Sequence, residues 1–194
     1  MNLPIKNIII LKLPSVYGPV FSWRLGKSLE IDLLLPPKTC TFDCVYCQLG
    51  STINKISKPE DLEIKVKVET IVNNLNFFLK RTLLDSIDYV TFSGYGEPTL
   101  NLMMGEIIEK IKNMIGNIPI AVLTNASLVG RKDVRMNLKK ADLVIAKLDA
   151  PNEDLFEVIN RPARNVKWQS IVEGLKLLRK ELDNKLALQI MFFK

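Results

Sequence analysis

Cys40-Thr41-Phe42-Asp43-Cys44-Val45-Tyr46-Cys47 puts three thiols within eight positions, and the chain of 194 residues has no other cysteine and no histidine. An odd count packed so tightly is not a disulfide framework. A structural zinc site wants four ligands, and this stretch offers three unless Asp43 is recruited. A redox pair of Cys44 and Cys47 leaves Cys40 unexplained. Three thiolates at this spacing suit three irons of a cubane [4Fe–4S] cluster. The fourth iron then lacks a protein ligand from the motif and is open to a small molecule. The neighbours Pro36, Pro37, Lys38, Thr39 and Gly50 read as an exposed loop around the cysteines.

Outward from this loop the chain alternates short apolar runs with amphipathic segments. Strands are expected at Ile31–Leu35, Tyr89–Ser93, Ile118–Thr124, Leu143–Leu148 and Leu186–Phe193. Leu62, Ile64, Val66 and Val68 alternate with charges, which is also compatible with a strand. From Val68 the period changes to that of a helix through Ile71, Val72, Leu75, Phe78 and Leu79. Asn101 is a suitable cap for a helix carrying Ile107, Ile108, Ile111 and Ile115, closed by Gly116. A basic helix is expected over Arg131–Ala141. Asn152 caps a short helix ending before Pro162, and Trp168 through Leu182 form a longer one. Asp183-Asn184 turns the chain into the last strand.

Strands alternating with helices predict βαβ units and a parallel α/β sheet with right-handed crossovers. Chemistry in such folds gathers at the carboxyl ends of the strands. Cys40–Cys47, Gly94–Thr99, Thr124-Asn125 and Lys147–Asp149 fall where those ends are expected.

The composition is that of a folded domain, 47% hydrophobic and 25% charged, with a net charge of +6. That charge reads either as a solvated surface or as affinity for an anionic partner such as RNA or a phosphorylated molecule. The early apolar run Ile8–Leu11 is too short for a signal peptide or a membrane span, so a cytoplasmic location is expected.

The cysteine loop resembles that of the radical S-adenosylmethionine (SAM) superfamily, whose three cysteines are separated by three and two residues, with an aromatic before the last. Tyr46 stands at the aromatic position. Ser93-Gly94-Tyr95-Gly96-Glu97-Pro98-Thr99-Leu100 resembles the Gly-Gly-Glu segment of that superfamily, with Gly96-Glu97 the matching pair. Tyr17–Asp32, the residues through Gly50 and Asn160-Arg161-Pro162 are similar to a poorly characterised group related to the wyosine-forming tRNA synthases. The resemblance implies that Cys40, Cys44 and Cys47 hold the cluster and that SAM chelates the open iron. It implies reductive cleavage of SAM to a 5′-deoxyadenosyl radical that abstracts hydrogen from a substrate. It places Glu97 at the methionyl ammonium, Asp149 or Lys147 near the ribose or the SAM carboxylate, and Asn125 facing SAM or substrate. Glu97 and Asp149 are thus expected to serve SAM rather than folding.

The implied partners are SAM, an electron donor such as ferredoxin or flavodoxin, and tRNA or a nucleotide as substrate. Two alternatives stay open: an activating enzyme acting on a protein glycine or peptide, and a non-catalytic iron–sulfur electron carrier. Arg24 and Arg161 are candidate anion contacts. Arg131, Arg135 and Lys139 share a helix face that reads as solvated or as a stripe contacting phosphates. The chain divides into an N-terminal extension, 1–27, and a core, 28–194. That core is expected to be a partial (β/α) barrel that stops after its fifth strand. Leu186–Phe193, apolar on both faces, then needs either a further part of a longer protein or a partner chain to cover it.

Overall fold

The computed structural model describes residues 15–192 except 64, 83 and 184, and the backbone alone of 85. Expectations for Ile8–Leu11, Ile64, Asn184 and Phe193 lie outside the described residues.

The strands are β1 Val16–Ser22, β2 Gly26–Ile31, β3 Thr39–Cys40, β4 Asn54–Lys55, β5 Tyr89–Phe92, β6 Ile120–Thr124, β7 Leu143–Lys147 and β8 Leu186–Gln189. The helices are α1 Val68–Leu79, α2 Met104–Ile115, α3 Lys132–Leu138, α4 Glu153–Asn160 and α5 Trp168–Glu181. Six strands form one sheet in the order β1-β2-β5-β6-β7-β8. From β2 to β8 every pairing is parallel, and each strand is added on the same side as the last. Winding in a single direction keeps the crossover helices on one face, which is the plan of an unclosed barrel rather than of a doubly wound sheet.

Alternation along the strands sorts the two faces. Leu29, Ile31, Val90, Phe92, Ile120, Val122, Val144 and Ala146 join one large core with Ile71 and Leu75 of α1, Ile107, Ile108 and Ile111 of α2, Leu138 of α3 and Leu178 of α5. The opposite face is sparsely apolar. There Ala121 and Ile145 meet Leu25 from the β1–β2 turn. Further along this face Ser28 bonds to Thr91, and the Ser93 hydroxyl donates to Glu30.

Several expected elements differ. The strand expected over Ile31–Leu35 ends at Ile31, because Asp32 accepts the Leu34 N–H at 2.8 Å and turns the chain. Among the described residues of Leu62–Val68 no strand forms. Leu62 and Val66 are buried singly, and the Val66 carbonyl is taken by the Asn101 amide at 3.1 Å. Asn101 is not the cap of α2, which begins after Met103; its side chain accepts from the Met103 N–H in the turn before the helix, and its amide also reaches the Leu33 carbonyl. The basic helix is shorter than expected, Lys132–Leu138. Residues assigned to an N-terminal extension include β1, an antiparallel edge strand on β2. Its exposed pattern, broken by Gly18 and Pro19, carries no alternation to read.

β8 pairs with β7 and has no further neighbour among the described residues. Leu188 and Ile190 remain 52% and 49% exposed.

Candidate active site

The cysteine loop is held at both ends by backbone pairing. At its start, β3 docks on the segment after β5: the Thr39 N–H donates to the Tyr95 carbonyl at 3.0 Å, and the Glu97 N–H to the Thr39 carbonyl at 3.2 Å. Gly96 permits this approach, since a β-carbon there would overlap the Thr39 carbonyl, and its φ of 146° suits only glycine. At its far side the loop docks on the end of α4. The Asp43 and Val45 N–H groups donate to the carbonyls of Asn160 and Ile159, and the Ala163 N–H returns to Thr41 at 2.7 Å. Asn160-Arg161-Pro162, noted in the sequence, is therefore the seat of the cysteine loop.

Each sulfur meets an N–H donor from a different segment. Asn125 Nδ2 is 3.5 Å from Cys40 Sγ, Asn160 Nδ2 is 3.4 Å from Cys44 Sγ, and Lys38 Nζ is 3.1 Å from Cys47 Sγ. All three cysteines are free and line one cavity of about 500 Å³ at the carboxyl ends of the strands. Burial pushes the Cys40 thiol up to about 12, helped by the nearby Glu97 charge, and burial also raises Cys44. Among the described residues no three His, Cys, Asp or Glu side chains converge as a single ion requires. Three thiols on one cavity wall, each already facing a donor, fit the wider span of an iron–sulfur cluster.

Glu97 is 2% exposed. Its Oε1 accepts from the Thr99 N–H, the Thr99 hydroxyl and the Thr124 hydroxyl, and its Oε2 accepts from the Asn125 N–H at 2.7 Å. Burial raises its pKa and these donors pull it back. On this geometry Glu97 also serves the fold, alongside its expected place at the ligand cavity. The carboxylate ties the end of β5 to the end of β6, and Oε2 alone carries a single bond from the protein.

A second tie joins β7 and β8 to the loop. The Tyr46 hydroxyl donates to Asp149 Oδ2, Met191 N–H donates to Asp149 Oδ1 at 2.9 Å, and Lys147 Nζ lies 3.2 Å from the Tyr46 hydroxyl and 3.7 Å from Asp149. Lys147 also sits 4.2 Å from the centre of the Tyr46 ring. Burial, and the carboxylate it faces, raise the Tyr46 phenol. The structure thus brings Tyr46, Gly96, Glu97, Asn125, Lys147 and Asp149 around the same cavity as the cysteines. Asp149 too is engaged by the protein rather than held free.

The basic helix face does not survive as a stripe. Arg131 pairs with Glu60 and Asp133. Arg135 is 7% exposed and bonds Glu181 and the Val129 and Gly130 carbonyls. Two of the three cations are already paired with carboxylates of the chain.

Sequence reasoning missed Lys38 and the amide of Asn160 as partners of sulfur. A lysine in a Pro-rich loop reads as solvated, and Asn160 lies 116 residues from Cys44.

Three thiols on a loop across the carboxyl ends of a one-way parallel sheet, beside a ligand-sized cavity, are the arrangement of a cofactor-binding partial barrel. The radical SAM superfamily model matches residues 34–194, and the chain belongs to that superfamily. Superfamily membership implies SAM and an iron–sulfur cluster. A UPF0026 protein of Synechocystis sp. is 40% identical over 178 residues, covering 92% of this chain and 64% of its own length. The chain spans less than two thirds of the length of the curated relatives it matches. Two solved structures share the fold. TYW1 with a lysine-pyruvate adduct bound has a TM-score of 0.54 and 19% identity, over 86% of this chain and 56% of that one. Native anSMEcpe with bound AdoMet has a TM-score of 0.55 and 18% identity, over 82% and 42%. No described helix is long and apolar enough to cross a membrane.

Proposed function

We propose that Cys40, Cys44 and Cys47 hold one [4Fe–4S] cluster and that SAM binds in the cavity beside it, with an unidentified substrate as the target of hydrogen abstraction. The observation that carries this reading is the convergence of three free thiols, each facing an N–H donor, on one cavity at the strand ends. When bound, the cluster and SAM supply a 5′-deoxyadenosyl radical on one-electron reduction. The chain's own residues bind and orient. Asn125, Asn160 and Lys38 direct N–H groups at the sulfurs. The Glu97 tie holds the floor under Cys40, and the Tyr46–Asp149 tie holds the loop against β7 and β8. Phe42 and Phe156, packed edge to face at 5.2 Å, both line the cavity and keep water from part of its wall.

A low-potential one-electron donor such as ferredoxin or flavodoxin is the proposed reductant. A tRNA or nucleotide substrate is supported by the net charge of +6 and by the shared fold with TYW1, a weaker support now that Arg131 and Arg135 are paired.

The test is anaerobic reconstitution with iron and sulfide, then dithionite and SAM. The expected outcome is about four irons per chain and formation of 5′-deoxyadenosine, both abolished in Cys44→Ala. A fully loaded protein that binds SAM but forms no 5′-deoxyadenosine would leave the electron-carrier reading in its place.

A further inference from the structure

The cavity extends well past the cysteine loop. Leu25, in the β1–β2 turn, packs on Ala121 and Ile145 with Tyr89 and Leu143 alongside. Tyr89 and Leu143 are the first residues of β5 and β7, so the turn lies toward the amino ends of the strands. A five-residue strand at about 3.3 Å per residue separates it from the cysteine loop by roughly 15 Å. Arg24 lines the cavity at this turn. Arg24 as a whole is half-buried, its guanidinium 5.2 Å from the ring of the exposed Trp23, but its Nε is shielded from solvent and has no hydrogen-bond partner among the described residues. The other charged groups lining the cavity are engaged: Lys147 with Tyr46 and Asp149, and Glu97 with its four donors. Tyr17 and Gln189 line the same cavity as hydrogen-bonding groups.

A buried donor without a partner is costly, and more so when it carries charge. We propose that Arg24 is the anchor for a carboxylate or phosphate group of the substrate, seated across the cavity from the cysteines. The proposal rests on the reading of the cluster end as the SAM site. SAM has one anionic group, its carboxylate, and that reading commits it to the open iron. The anion at Arg24 therefore belongs to a second molecule. A guanidinium suits it, since its planar fork matches two oxygens of either group.

Radiolabelled inorganic phosphate and acetate are the probes, in equilibrium dialysis against the reconstituted chain, with SAM retention measured in parallel. The wild type should retain one or both anions, and the stronger of the two names the group. Arg24→Gln should weaken that retention at least tenfold, Arg24→Lys by a smaller factor, and SAM retention should fall less than anion retention. Equal anion retention in wild type and Arg24→Gln, or none in the wild type, overturns the proposal. So does a variant that loses SAM as strongly as the anion, which returns Arg24 to the SAM site. Anion retention that depends on Arg24 in a chain that fails to bind SAM upholds the anion site while removing the reading of the cluster end.

An independent observation concerns Lys38. It is 6% exposed, and its ammonium bonds Cys47 Sγ at 3.1 Å and the Gly50 carbonyl at 2.6 Å. A buried ammonium needs compensating negative charge, and among the described residues no carboxylate bonds it. On the cluster reading above, we infer that Lys38 raises the reduction potential of the cluster. One electron passes from the low-potential donor to the cluster and adds one negative charge beside a fixed cation. The measurement is an anaerobic potentiometric titration followed by electron paramagnetic resonance. Lys38→Met should make reduction at least tenfold harder, a shift of about 59 mV to lower potential for one electron. Lys38→Arg should stay nearer the wild type, and Lys38→Gln, a donor without charge, should fall between. An unchanged or higher potential in Lys38→Met overturns the inference. If that variant takes up no cluster, the same comparison between Lys38→Gln and Lys38→Arg decides it.

Discussion

The two faces of the sheet are built on opposite terms. Toward the helices, Leu29, Ile31, Val90, Phe92, Ile120 and Val122 are buried in a continuous apolar core. Toward the cavity, the same strands present Ser28, Glu30, Thr91 and Ser93, bonded across strands, with Asp32 just beyond β2. One face is held by area removed from water, the other by polar groups that satisfy each other. The first tolerates any residue of the right size and hydrophobicity. The second depends on each partner being present, and it is the side on which the cysteines and the cavity lie.

The sharpest way to break the helix-side face is Phe92→Ala. Phe92 is fully buried at the centre of the sheet, so the loss should be about 3–5 kcal/mol. Chemical denaturation should show the midpoint falling with little change in slope. A loss below about 1 kcal/mol would mean that this face collapses around the gap and is not the tight core described here.

The polar side is tested next by Glu97→Ala. The substitution removes the acceptor of four bonds and leaves the buried hydroxyl of Thr124 and the N–H groups of Thr99 and Asn125 in want of a partner. A stability loss of about 3 kcal/mol is expected, with loosening of the Cys40 end of the loop. Thermal melting of the cluster-free chain isolates the structural part. A variant that melts like the wild type yet binds SAM poorly would restore Glu97 to a purely ligand-binding role.

These two faces were not equally legible. The helix-side face was read from periodicity: β5, β6, β7, α2 and α5 lie close to their expected places, because an apolar stripe must be covered and its period names the element. The cysteines were legible because three thiols and no histidine leave few chemistries. The residues around the cavity were legible but their bonding to one another was not, for two reasons. The partners are distant in sequence, as Tyr46 and Asp149 or Cys44 and Asn160 are. The residue types also have commoner uses. The ties Glu97 makes to Thr99, Thr124 and Asn125 have no signal in the sequence, and the face of Arg131 and Arg135, readable as solvated or as a phosphate stripe, is paired with Glu60, Asp133 and Glu181. β1 escaped because an exposed edge strand needs no hydrophobic pattern.

The finest test lies where the two faces meet, at Asp32, which follows the apolar Ile31 and turns back under Gly94. Its carboxylate accepts the N–H groups of Leu34 and Tyr95 at 2.8 and 2.9 Å. Burial nevertheless outweighs those bonds and pushes its pKa from 3.8 up to about 6. A carboxyl that binds its proton more tightly when folded favours folding once protonated. Its contribution to stability is therefore lowest above pH 6 and grows as pH falls from about 6 towards 4, by at most about 2 kcal/mol. Asp32→Asn keeps one acceptor and removes the titration. Over that interval the wild type should gain stability relative to the variant, a gain read as the difference between two pH series of denaturation midpoints. Parallel series would show that the two N–H donors, not burial, govern this carboxyl.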